Sequence, residues 1–153
     1  MARNPNPTAE PIERRPGYVI RRLHQIADGY YAQETAGFGI TPVQYGALLV
    51  IQAHPGIDQL RLGQALRCDR TTISGVVRRL QAKNLIRRRT GKTDRRAKSL
   101  FVTPTGAKTI KRLVAAAGRA ERRILTGLSA SERRRVLELL ARVVRLYEER
   151  NGI

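Results

Sequence analysis

The sequence is short of most things that catalytic, secreted and membrane proteins rely on. It holds one cysteine, Cys68, in 153 residues, which leaves no disulfide framework and no thiolate metal cluster. It has no tryptophan and only 5% aromatic residues, which argues against a base-stacking platform for single strands. The longest apolar run, Ala47 to Ile51, is far too short for a bilayer. The N-terminus lacks the apolar stretch of a signal peptide, so a cytoplasmic protein is expected, and no membrane partner is expected once the basic residues prove to cluster on a hairpin and not along one amphipathic helix. There is no glycine-rich phosphate loop, no nucleophile elbow and no paired-carboxylate site. His24 and His54 lack metal-ligand spacing to each other or to Cys68, which itself reads as a packed, inert thiol. No catalytic residue, metal or cofactor is expected, and the chain is not read as an enzyme.

The scarcest charge is negative. Twelve Asp and Glu stand against 30 Lys and Arg, a formal net charge of +18. That excess favours a polyanionic partner: nucleic acid, an anionic membrane surface or an acidic protein. Most of the positive charge is arginine, whose planar fork suits phosphates and guanine edges.

Hydrophobic residues make up 41% of the chain, enough for one core. Residues 1–16 carry four prolines and read as a flexible basic tail before an ordered unit at 17–153. Val19, Leu23, Ile26 and Tyr30 make a helical stripe, with Ile20, Ala27 and Tyr31 beside it. Thr41-Pro42 reads as a cap and first helical residue, and that helix stops at His54-Pro55-Gly56. Asp58 caps a short helix over 59–66, and Asp69 caps another over 70–83. Strands are expected at 85–89 and 98–103 around a polar, basic hairpin tip. Thr103-Pro104 starts a helix that runs to about Leu125. Ser129 and Glu132 form a capping box before a last helix bearing Val136, Leu139, Leu140, Val143, Val144 and Tyr147.

The helix over 70–83 has two faces. Ile73, Val76, Val77 and Leu80 share one side. Thr71, Gly75, Arg78 and Ala82 lie opposite, flanked by Thr72, Ser74 and Arg79. Small residues let a helix approach a groove floor, while hydroxyls and arginines reach base edges and phosphates. The preceding helix is joined by only a few residues, which is the helix-turn-helix pattern. The hairpin that follows crowds Arg87, Arg88, Arg89, Lys92, Arg95, Arg96 and Lys98 around a single acid, Asp94. A solvated charge run usually mixes signs; this one suits a wing that tracks the phosphate backbone.

Asp94-Arg95-Arg96 through Leu100-Phe101-Val102-Thr103-Pro104-Thr105-Gly106 resembles the wing signature of MarR-family regulators. Gly39-Ile40-Thr41-Pro42-Val43-Gln44-Tyr45 is similar to that family's entry into its second helix. Leu80 to Ile86 is similar to the exit from its recognition helix, with Asn84 where glycine is usual; asparagine tolerates the left-handed conformation needed there. The resemblance covers about residues 18–150. It implies a mainly α fold with a small β-hairpin wing: a winged helix-turn-helix at about 42–103 plus dimerisation helices at about 18–35 and 104–150. It also implies a homodimer on double-stranded DNA, reading a pseudo-palindrome. Carried onto this chain, Arg70, Thr71, Thr72, Ser74, Gly75, Arg78 and Arg79 would meet the major groove and its phosphates. Lys92, Arg95 and Arg96 would contact DNA from the wing, and Asp94 would hold the wing in shape.

Family members commonly release DNA when a small ligand binds between the dimer helices and the DNA-reading lobe. The stretches Gly17 to Gln25, His54 to Gln59 and Asp69 to Thr72 look similar to the branch that controls catabolism of aromatic acids. On that resemblance a small aromatic carboxylate or acyl-CoA effector would meet Arg21, Arg22, His24, Tyr30, Tyr45 and Asp69. The rival reading from charge alone is a non-specific architectural nucleic-acid binder, which would show little preference among DNA sequences.

Overall fold

Among the described residues, five of the six α-helices start at a side-chain oxygen that accepts the amide three residues on. The computed structural model describes residues 11–90 and 98–152. After a 3-10 turn at Ile12–Arg14, helix α1 spans Pro16–Thr35 and α2 spans Pro42–Ala53. Helices α3 and α4 span Gln59–Ala65 and Arg70–Ala82. Strands β1 and β2 span Ile86–Thr90 and Lys98–Val102, and α5 and α6 span Pro104–Ile124 and Ala130–Asn151. The caps of α2 to α6 are Thr41, Asp58, Asp69, Thr103 and Ser129, as the sequence predicts. Each such cap is worth about 1 kcal/mol. Only α1 begins without one; Arg15 makes no side-chain cap bond, and Pro16 supplies the fixed φ of a first turn.

Two helices end in the same hydrogen-bond motif. Beyond α4, Asn84 takes φ 54°, while the Leu85 amide reaches Leu80 O at 3.0 Å and the Asn84 amide reaches Gln81 O at 2.8 Å. This is the left-handed closure predicted for Asn84, and it draws Leu85 out of the strand expected to begin there. Beyond α3, Arg67 takes φ 51°, with the Cys68 amide on Gly63 O and its own amide on Gln64 O. An arginine in a left-handed slot costs roughly 1 kcal/mol. Its side chain reaches Glu148 of α6 at 3.2 Å, tying the turn between α3 and α4 to the last helix.

The core lies between α2, α3, α4, the hairpin and the first half of α5. Leu48, Ile51, Leu62, Ile73, Val77, Leu80, Leu100 and Leu113 are fully buried in it. The strands pair antiparallel with Ile86 opposite Val102 and Arg88 opposite Leu100. The segment after α2 joins this sheet: Gly56 N–H meets Leu100 O and Leu100 N–H meets Ile57 O. A second layer is α1 on α5, where Ala116, Ala117 and Ala120 are buried. There Glu34 accepts from Arg119 at 2.8 Å and Arg123 at 3.0 Å. Those two bonds, Arg119's first, hold the Glu34 carboxyl below its ordinary value. The clamp is therefore complete above the usual carboxylate range and is lost only as pH falls through the lowered value.

Helix α6 is different. Not one of its residues is buried, yet Leu139, Leu140, Val143, Val144 and Tyr147 are large, apolar and exposed. Val19 and Ile20 of α1 are exposed likewise.

Candidate nucleic-acid interface

Helix α4 presents its apolar stripe, Ile73, Val76, Val77 and Leu80, to the core. The opposite side is open: Arg70, Thr71, Thr72, Ser74, Arg78 and Arg79 are exposed, and Gly75 is half-buried. The structure thus brings all seven groove-contact candidates of this helix onto one outer surface. Among the described residues, the side chains of Arg70, Thr71 and Arg78 make no hydrogen bond or ion pair, so their donors face outward.

Two hydroxyls of that surface already serve the fold. Thr72 Oγ1 donates to Asp69 Oδ2 at 2.7 Å, while the Thr72 amide donates to Asp69 Oδ1 at 2.8 Å. These bonds, the amide's first, hold the Asp69 carboxyl below its usual range, so the cap is ionised at neutral pH. Asp69 is accordingly the anchor of α4, and it does not line the groove described below. Ser74 Oγ accepts from Gln59 Nε2 at 2.6 Å.

Gly75 has room for more than hydrogen. A Cβ there would meet only Arg79 Nη1, at 3.7 Å, an ordinary contact. Glycine within a helix is roughly 1 kcal/mol worse than alanine. Nothing in the described protein explains that cost.

The hairpin continues the basic surface. Arg89 lies over the Phe101 ring at 5.4 Å, on the face away from Leu100, and Arg87 is exposed. Lys92, Arg95 and Arg96, with the structural candidate Asp94, lie outside the described residues.

A groove of about 680 Å³ opens elsewhere, between α1 and the start of α2. His24, Asp28, Tyr31 and Thr35 line it from α1, and Ile40, Thr41, Pro42 and Val43 from the α2 side. His24 Nε2 lies 3.4 Å from Asp28 Oδ2. Burial pushes the Tyr31 hydroxyl up, so that ring is neutral at neutral pH. Tyr45 packs behind it, ring centroids 6.1 Å apart.

Of the effector candidates, then, only His24 lines the groove, with Tyr45 one ring behind. Arg21 lies over Tyr18 at 6.0 Å, and Arg22 donates to Gln25 at 3.3 Å. Tyr30 carries Arg123 on its ring at 4.2 Å, on the α5 side. Tyr31 was the residue that sequence reasoning missed. Its signal was the i, i+4, i+7, i+11 spacing of His24, Asp28, Tyr31 and Thr35 on one helix face.

A helix-turn-helix with an exposed hydroxyl and arginine face, followed by a basic hairpin, defines the winged helix-turn-helix class. The profile of the MarR family matches residues 38–97. A transcriptional regulatory protein for the hcr operon of Thauera aromatica, so described putatively, is 38% identical over 134 residues, 87% of this chain and 81% of that one. The transcriptional repressor CouR, solved bound to a 23-mer DNA duplex, is 25% identical with a TM-score of 0.82, covering 87% of this chain and 94% of that one. The PcaV regulator of Streptomyces coelicolor, solved with its natural ligand, is 28% identical with a TM-score of 0.77, covering 90% and 96%. This chain belongs to the MarR family of DNA-binding transcriptional regulators, which are not enzymes. Among the described residues no helix is long and apolar enough to cross a membrane.

Proposed function

We propose that the protein is a ligand-responsive repressor. It binds a pseudo-palindromic operator as a homodimer and lets go when a small aromatic acid or its CoA thioester binds. The observation that carries the DNA half is the outer face of α4, whose glycine is needless for the fold and useful against a groove floor. Gly75→Ala is therefore expected to raise stability by roughly 0.5–1 kcal/mol, a small increase in melting temperature. The same methyl should weaken specific DNA binding roughly tenfold or more, by overpacking the interface. Calorimetry and gel shifts on one preparation test both; a variant that binds as well as the parent removes Gly75 from the interface.

The homodimer is supported by α6 and by the exposed Val19 and Ile20. An apolar stripe on a helix with no buried residue needs a second surface. DNA contacts by Arg70, Thr71, Thr72, Ser74, Gly75, Arg78 and Arg79 are supported by their shared exposure. Contacts by Lys92, Arg95 and Arg96, with Asp94 holding the wing, follow from the family resemblance.

The effector half is supported by the groove between α1 and α2. An aromatic ring fits against Tyr31 and the apolar atoms of Ile40, Pro42 and Val43, and a ring N–H of His24 would donate to a carboxylate. A repressor and a ligand-bound regulator among the similar structures agree with this reading. A thermal-shift screen of benzoates, hydroxycinnamates and their CoA thioesters tests it. At least one compound is expected to raise the melting temperature and lower DNA affinity, and His24→Ala should blunt its effect. No compound doing both rejects this effector class.

A further inference from the structure

Arg88 points the wrong way for an ordinary wing arginine. Strand register puts it on the same face as Ile86, Leu100 and Val102, all turned to the core or its edge. It is half-buried, and its Nε is shut off from solvent with no partner among the described residues. Among the described residues no carboxylate reaches it. Its Nη2 donates instead to Gln59 Oε1 at 2.9 Å.

That bond has a consequence for Ser74. Guanidinium groups only donate, so Gln59 must present its oxygen to Arg88. The amide nitrogen then has to face the other way, where it donates to Ser74 Oγ at 2.6 Å. Ser74 therefore accepts from inside the protein. Its own proton has no acceptor among the described residues, not even the carbonyl one turn back that serines often use. We infer that the Arg88–Gln59 pair sets the polarity of Ser74, making its exposed hydroxyl a hydrogen-bond donor toward DNA.

A donor favours acceptors: N7 or O6 of guanine, N7 of adenine, O4 of thymine, or a phosphate oxygen. The exocyclic amino groups of adenine and cytosine could use only the one Ser74 lone pair that Gln59 leaves free. Gln59 and Arg88 are thus positioning residues, and Ser74 is the group that touches the nucleic acid. The inference rests on the reading that the outer face of α4 meets DNA.

Gln59→Glu reverses the relay. The new carboxylate still accepts from Arg88, but it can only accept from Ser74, whose proton then turns inward. Four proteins are compared by selecting bound sites from random duplexes and then titrating the selected site and its single-base variants: wild type, Gln59→Glu, Ser74→Ala and the double variant. Ser74→Ala is expected to cost about 3- to 10-fold. A loss confined to one position per half-site identifies a base edge; an equal loss on all sequences identifies a phosphate. Gln59→Glu should cost as much or more in the Ser74 background and distinctly less in the Ala background, where only its added charge acts. An equal effect of Gln59→Glu in both backgrounds overturns the relay. Gln59→Leu, which breaks the relay without charge, gives the same comparison should the acid fold poorly. Arg78→Ala separates the two levels: if Ser74→Ala alone leaves binding unchanged the relay fails, and if Arg78→Ala does so as well the reading of α4 fails with it.

Discussion

Val143→Glu is expected to give a folded monomer that binds its operator at least about 100-fold more weakly than the parent. Val143 is 60% exposed on a helix with no buried residue, so the change removes nothing from the core of the chain. Its wheel neighbours Leu139, Leu140 and Tyr147 are exposed as well, which makes it the middle of a continuous apolar strip. In a two-fold dimer each residue of the seam occurs twice, so one substitution places two carboxylates in an apolar contact. Removing an unpaired charge from water costs several kcal/mol. The monomer then keeps only one half-site, and the gain from linking two half-sites, commonly 10²- to 10⁴-fold, disappears. Ultracentrifugation, circular dichroism and a gel shift read the three parts of the forecast. A dimer of undiminished stability would place the seam elsewhere.

Gly106→Ala should be the most damaging conservative change in the chain. A Cβ at Gly106 would overlap the carbonyl oxygen of Leu85 and stand 2.9 Å from Val102 Cγ1. The obstacle is backbone, which cannot swing aside. It also sits in a knot of bonds: Thr103 N–H donates to Leu85 O, Thr103 Oγ1 donates to Asn84 O at 2.7 Å, and Gly106 N–H donates to Thr103 Oγ1 at 2.9 Å. Pushing α5 away from the α4 exit breaks several of these in a buried place. Overpacking costs about 1–3 kcal/mol and each orphaned buried group a similar amount. The total, roughly 4 kcal/mol or more, is a large part of the stability of a domain this size. The expected melting temperature is lower by roughly 10 °C or more. Gly118→Ala is the control on the same helix; its Cβ would meet only Arg122 Nη1 at 3.6 Å, so it should be neutral or slightly stabilising. If the two variants melt alike, the close approach at Gly106 is not what the position requires.

That knot explains a motif which was visible only as a likeness. Leu100, Thr103 and Gly106 of the wing signature have three separate duties. Leu100 fills the core, Thr103 bonds the recognition-helix exit, and Gly106 lets α5 pass against Leu85. Leu100, Thr103 and Gly106 of the signature therefore report on the joint between α4, the hairpin and α5. Without coordinates, spacing alone could not separate these duties.

Local chemistry was legible in advance. Caps at Thr41, Asp58, Asp69, Thr103 and Ser129, the left-handed Asn84, the hairpin and the two faces of α4 are all decided within a few residues of chain. Hydrogen bonds to nearby amides and the 100° turn of a helix need no distant partner. The apolar strip of α6 was legible for the same reason, and its exposure is what a sequence cannot state. What folding alone decided is every feature that joins segments far apart: Tyr31 rather than Tyr30 in the groove, Glu34 between Arg119 and Arg123. The chain from Arg88 through Gln59 to Ser74 belongs here too, spanning 29 and 15 residues. The scarcity of acids noted at the outset takes on a structural meaning at that point. With 12 carboxylates for 30 basic residues, the inward arginine is held by an amide, and amide polarity is set only when both its neighbours are in place.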